Sequence, residues 1–338
     1  MNNWTRLYRA AIRIRESAPW EWLDEGQVFG VQDPDAGEIR FVSIMGALGE
    51  HYAVASYPGS KGLYGFRSLE QMDLKSDASM VLEIPQLQVS FEDRGELTRE
   101  DLHVIKQLGL KFRGRSAWPM FRSYRPGYLP WSFDSDEVRA FAYVLEQTLE
   151  VILRAQKDPG ILEPGDDTSY LVRVAQDTGG VLVWSDRVLS VLPPEPETIS
   201  VPMDMGALNL LKGLPKSRAS LEIDLFLFPG SIGARGERLQ YAYMLLLVDS
   251  SSGFVFGNEL LSSGPTFAAM CGTIPMTMAR MLAAHHLRPR EIKVRSQALF
   301  PWLGLLGDEL GFKVTQRSRL PMLDEARDSL SAWLQRGR

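Results

Sequence analysis

A single cysteine, Cys271, stands among 338 residues. It excludes a disulfide framework and leaves too few thiolates for a cysteine metal cage, so the residue reads as an inert small hydrophobe. Histidine is almost as scarce, with 4 in the chain. His51 and His103 stand alone, and His285-His286 closes an expected helix, where imidazolium complements the helix dipole. No P-loop, no G-x-G-x-x-G fingerprint and no Ser-His-Asp order is present, so those phosphate-binding, dinucleotide and hydrolase chemistries have no motif to carry them. The opening residues MNNWTRLYRAAIRIRES contain no uninterrupted apolar h-region, and no run of about 18 apolar residues occurs. The expectation is a soluble cytoplasmic protein whose thiol sits in a reducing compartment. A net charge of −5 excludes a molecule that binds polyanions over its whole surface.

The composition that remains is globular, with 45% hydrophobic and 23% charged residues. The length predicts two domains. Pro193-Pro194-Glu195-Pro196-Glu197-Thr198 is the clearest linker, because proline keeps the backbone extended. We therefore expect an α+β domain over 1–192, a Pro-rich linker over 193–200 and a second domain over 201–338.

In the first half, Leu7, Ala11 and Ile14 mark a helix from Trp4 to Ser17. Strand-like runs follow at Val28–Val31, Ile39–Met45, Tyr52–Tyr57, Met80–Ile84 and Leu87–Phe91. Gly46, Gly49, Gly59 and Gly62 frame strand ends and are assigned to turns. Thr98 is a plausible N-cap for a short helix to Leu108. Asp134 and Glu137 have capping-box spacing ahead of a long apolar stripe from Val138 to Leu153. Tyr170–Ala175 and Val181–Trp184 predict a closing hairpin. These elements predict a mainly antiparallel sheet.

In the second half the order of elements is β-β-β-α-β-α-β-α. Strands are expected at Leu221–Phe228, Tyr241–Val248, Phe254–Leu260, Glu291–Val294 and Phe312–Thr315. Helices are expected at Pro275–His285 and Ala298–Leu310 and from Pro321 onward. Four motifs punctuate this order: Ile223-Asp224, then Val248-Asp249-Ser250-Ser251-Ser252-Gly253, then Pro289-Arg290-Glu291-Ile292, then Leu310-Gly311-Phe312-Lys313-Val314. Over about 219–335 the pattern resembles the ribonuclease-H-like superfamily, the integrase and transposase cores in particular. That resemblance implies an α/β domain with a mixed five-stranded sheet, in which a three-strand meander is extended by two parallel strands. It also implies a reaction in which three carboxylates hold two divalent cations. The whole chain, through Pro19-Trp20-Glu21-Trp22, Val42-Ser43-Ile44-Met45-Gly46, Phe112-Arg113-Gly114 and Pro126-Gly127-Tyr128-Leu129-Pro130-Trp131, is similar to an uncharacterised bacterial family that joins two domains of unknown function.

By that resemblance Asp224 takes the first-strand position, and Asp324 or Glu325 the last-helix position. The second acid is expected near Arg295 or Ser296, and neither is one. A guanidinium there opposes a cation by about 4 kcal/mol per unit charge at 4 Å and an effective dielectric near 20. The expectation is that two-metal chemistry is lost, that no cofactor is held, and that Arg295 or a nearby base neutralises Asp224. A plainer alternative puts Asp224 on the solvent face of an edge strand. The catalytic alternative is a Mg²⁺-dependent nuclease or strand-transfer enzyme using Asp224, Asp249 or Glu259, and Glu325.

From Leu102 to Phe133 the chain contains no Asp or Glu. Lys106, Lys111, Arg113, Arg115, Arg122 and Arg125 alternate there with Phe112, Trp118, Phe121, Tyr124, Tyr128 and Trp131. Pro119, Pro126, Gly127 and Pro130 predict mostly loop. Arginine pairs with phosphate and aromatics stack on bases. Arg113, Arg115, Trp118, Arg122, Tyr124 and Arg125 are therefore the candidate binding residues for nucleic acid or an acidic protein surface. The structural alternative pairs these arginines with acids such as Glu92, Asp93, Asp134 and Asp136 and sends the aromatics into the core. A third reading is an interaction protein with no nucleic-acid role.

Overall fold

The computed structural model describes residues 2–71, 83–234 and 236–336. It divides into two compact units, Met1–Arg125 with Pro130–Pro196, and Glu197–Arg338 with Pro126–Leu129.

The first unit opens with α1 (Asn3–Ser17), whose Leu7, Tyr8, Ala11 and Ile14 are buried on the expected face. Strands β1 (Phe29–Gln32), β2 (Ile39–Met45) and β3 (Ala53–Pro58) follow. Helix α2 (Gly59–Gln71) occupies residues that the sequence assigned to turns, because glycines at 59, 62 and 65 mask a face carrying Leu63 and Phe66. Of the strand expected at Met80–Ile84, residues 80–82 lie outside the described residues. Strand β4 (Gln86–Glu92), helix α3 (Arg99–Gln107) and strand β5 (Trp118–Tyr124) come next. Helix α4 (Ser135–Ala155) and the hairpin of β6 (Ser169–Asp177) and β7 (Leu182–Ser190) complete the unit. Both expected caps form: Thr98 with Asp101 on α3, and Asp134 with Glu137 on α4.

The seven strands lie in the order β5-β4-β3-β2-β1-β6-β7. Every neighbouring pair is antiparallel except β1 and β6, which run parallel at Gly30↔Val172, so the sheet is mixed. One face carries the larger core with α1 and α4, including Phe29, Val42, Val89 and Phe141. The other carries a smaller core of Phe41, Tyr57, Leu63, Phe66 and Tyr170.

In the second unit, α5 (Met205–Gly213) precedes the antiparallel meander of β8 (Ser220–Ile232), β9 (Gln240–Asp249) and β10 (Val255–Ser262). Next come α6 (Phe267–Gly272), α7 (Ile274–Ala284), β11 (Glu291–Val294), α8 (Phe300–Leu310), β12 (Lys313–Gln316) and α9 (Pro321–Arg336). The sheet order is β10-β9-β8-β11-β12, and β11 runs parallel to both β8 and β12. Leu211, Ile223, Leu245, Met278 and Leu303 lie in the core on one face. On the other face Leu320 and Leu323 pack on Met244, Leu246 and Val248. By length and composition, Phe267–Ala284 is long and apolar enough to cross a membrane; Met270, Ile274, Met278 and Leu282 from it are buried in the core.

Pro126–Leu129 pairs with the start of β9. Tyr241 N–H donates to Gly127 O at 3.1 Å, and Leu129 N–H to Leu239 O at 2.8 Å. The Ser263 hydroxyl also donates to Gly127 O, at 2.6 Å. Gly127 has φ +77°, and a Cβ there would stand 2.4 Å from the Ser263 carbonyl oxygen. Both conditions demand glycine. Gly127→Ala is expected to destabilise the protein by about 2 kcal/mol or more, read as a lower urea midpoint.

Candidate functional site

Strand β8 lies between β9 and β11, so Asp224 is on an interior strand and not the edge strand of the plainer sequence reading. Side chains alternate along it, which puts Glu222, Asp224 and Phe226 on the face covered by α9. Asp224 is only 6% exposed. The parallel register ends at Val294↔Ile223, so Arg295, the residue after β11, follows at the level of Asp224. Arg295 Nε stands 3.4 Å from Asp224 Oδ2, and its NH2 group donates to Asp324 Oδ1 on α9 at 2.5 Å. The guanidinium therefore lies between the first-strand and last-helix acids. Burial pushes the Asp224 carboxyl above its usual range, and Arg295 and the Leu225 N–H pull it partly back. Buried Glu222 is occupied differently: its carboxylate accepts the Leu323 N–H at 2.9 Å in the first turn of α9, a free donor at the positive end of a helix.

The rearranged carboxylate set does not converge. Asp249 pairs with Leu221 and Glu259 with Leu245, both of which belong to the opposite face from Asp224. The Asp249 Oδ1 accepts the N–H and hydroxyl of both Ser251 and Ser252 in the hairpin turn. Those bonds, the Ser251 hydroxyl foremost, hold its carboxyl down to about 2. Glu325 is exposed, and Asp324 is the α9 acid that faces Arg295. Mg²⁺ wants several hard oxygens and no adjacent cation. With Arg295 inserted between its two nearest acids, this donor set does not fit the metal pair that the resemblance implies.

Most of the basic segment lies outside helix and strand, as expected, but Trp118–Tyr124 within it forms β5, the edge strand of the seven-stranded sheet. Edge strands tolerate Pro119, whose missing N–H costs no ladder bond on the open side. The strand separates the candidate binding residues into two groups. Arg122 is only 12% exposed at its side chain and grips Asp101 through two bonds, of 2.6 and 2.9 Å. Burial works against the charged form of Asp101, and Arg122 with Thr98 outweighs it, holding the carboxyl below its usual range. Arg125 bonds Glu137 at 2.7 Å and Asp134 at 3.1 Å. Burial raises the Tyr124 hydroxyl above its ordinary value. Arg122 and Arg125 thus tie β5 and the residue after it to the starts of α3 and α4.

Arg113 and Arg115 remain exposed. Arg113 lines an open groove of about 510 Å³ formed by the end of α3, the turn after it and Trp118. Lys106, Lys111 and Arg94 line the same groove, and among the described residues no Asp or Glu does. Phe112 and Trp118 lie half-buried in it with ring centres 5.6 Å apart and planes tilted by 56°, and Arg94 lies 5.9 Å from the Trp118 ring centre. The turn is anchored: Asp93 Oδ1 accepts Ser116 N–H at 2.8 Å, and Arg15 Nε donates to Ser116 O at 2.9 Å. Sequence reasoning found Arg113 and Trp118 but missed Arg94, which lies outside the acid-free window.

Fold and site together define a two-unit α+β protein with two mixed sheets, a carboxylate pair bridged by arginine and an aromatic groove rimmed by cations. Residues 4–173, just over half of the chain, match the family described as Domain of unknown function (DUF7309), and the chain belongs to that family. Residues 207–331 match a second, Domain of unknown function (DUF6930), which accords with the resemblance to a paired-domain family. No curated protein matches the chain.

Two outcomes follow. Arg122→Ala leaves Asp101 charged and largely buried, and is expected to cost about 3 kcal/mol in urea unfolding. Asp224 has a folded pKa above its unfolded one, so its ionisation costs stability as pH rises through the folded value. Arg295→Ala removes the compensating charge, and its destabilisation is expected to be larger near pH 7 than near pH 4. An equal loss at both pH values would contradict the pairing.

Proposed function

We propose that the chain is a non-catalytic binding protein. In this reading the second unit is a degenerate ribonuclease-H-like domain, and the first unit holds an anionic macromolecule through its basic segment, in a cytoplasmic setting. The observation that carries it is Arg295 placed between Asp224 and Asp324. The sheet order β10-β9-β8-β11-β12, with a meander followed by two parallel strands, supports the fold assignment. A hydrolytic centre of this type needs oxygen ligands converging on two cations. Here the first carboxylate is neutralised by a protein cation that cannot be deprotonated.

The test is incubation of the purified protein with single- and double-stranded DNA and RNA in millimolar Mg²⁺ or Mn²⁺. No cleavage is expected, and millimolar Mg²⁺ should leave the melting temperature unchanged. Metal-dependent cleavage that Asp224→Asn abolishes would establish the nuclease reading instead.

A further inference from the structure

We infer that the groove between the end of α3 and Trp118 binds a phosphate-bearing nucleobase, presented by a single-stranded nucleic acid or by a free nucleotide. The inference deepens the binding reading above and rests on it for the claim that the bound ligand is not cleaved.

The groove supplies two kinds of recognition side by side. Arg94, Lys106, Lys111 and Arg113 are exposed on its rim. Among the described residues none of the four is in an ion pair, whereas Arg122 and Arg125 of the same segment are each bound to carboxylates. Four cations left unmatched in a protein of net charge −5 are a local reversal of sign that internal pairing does not account for. Between them lie the rings of Phe112 and Trp118. A carboxylate-rich peptide would use only the cations, while a nucleotide uses both, with phosphate on the rim and its base on the aromatic floor. A volume of about 510 Å³ is within the range of small-ligand sites. The tethers at Ser116 hold the turn that carries Lys111 and Arg113, so little ordering is required on binding.

The test measures fluorescence anisotropy of a labelled deoxythymidine decamer and calorimetry with adenosine monophosphate. The variants are Lys111→Glu/Arg113→Glu, in which both sites are exposed and the fold is retained, and Arg187→Glu on β7 as a charge control away from the groove. Wild type is expected to bind the decamer with a slope of log affinity against log salt of at most about −3, as four cations on single-stranded phosphates give. The double variant should lose at least about thirtyfold in affinity at low salt and reduce the slope by about 1.4. The control should stay within about threefold. Tighter binding of the decamer than of the mononucleotide identifies a strand as the ligand; equal binding identifies a free nucleotide. Either supports the inference. Equal affinity for an abasic decamer or for polyglutamate overturns it, as does decamer binding that the double variant leaves unchanged, or no binding of either nucleotide probe. Cleavage of the decamer in Mg²⁺ would overturn the non-catalytic reading and leave the groove assignment standing, so the two fail separately.

Discussion

A carboxylate on an interior strand must find a compensating charge or give up its own, because burial penalises the ionised form. Asp224 meets that requirement in part through Arg295, and the consequences spread through the second unit. The parallel pairing of β8 with β11 sets the two residues level. The other half of the guanidinium is then free to take Asp324, which fastens α9 over the sheet beside Leu320 and Leu323. Glu222, two residues back on the same face, receives the Leu323 N–H from the first turn of that helix. Asp324 and Glu222 are thus both used to dock α9 over the sheet.

The first unit applies the same rule to its arginines. Arg122 and Arg125 sit where β5 meets the capping boxes of α3 and α4, so each finds a carboxylate already held by a cap. The cations beyond the end of α3 have no such neighbour and rim the groove. One acid-free stretch of sequence thus contains both structural and accessible cations. Distance along the chain does not separate them; the position of Asp101 and Glu137 on helix first turns does.

Much of the framework was legible in the sequence. The stripe of α4, the hairpins and the element order of the second unit follow from periodicity and turn chemistry, whereas attention to Arg295 came only through the resemblance. Three of the elements missed in the sequence were hidden for physical reasons. Glycines diluted the helical signal of α2. Pro119 concealed β5, whose alternation of buried Pro119, Phe121 and Ser123 is clear only once an edge position is allowed. Helix α5 is only 9 residues long and lies just beyond a proline-rich stretch. The groove was half legible: its cations were counted, but which of them stayed unpaired depended on side-chain partners that spacing does not reveal.

The parallel neighbours β1 and β6 have a kinetic consequence. Gly30 and Val172 face each other across most of the first unit's length, and a Cβ on Gly30 would press against Val172 at 2.9 Å. Such a contact cannot form until the intervening strands and helices have been gathered, and closing loops of that size slows folding. Until then β1 presents an open border to other chains, so the assembly of this sheet, more than its final stability, is where crowding and aggregation would compete.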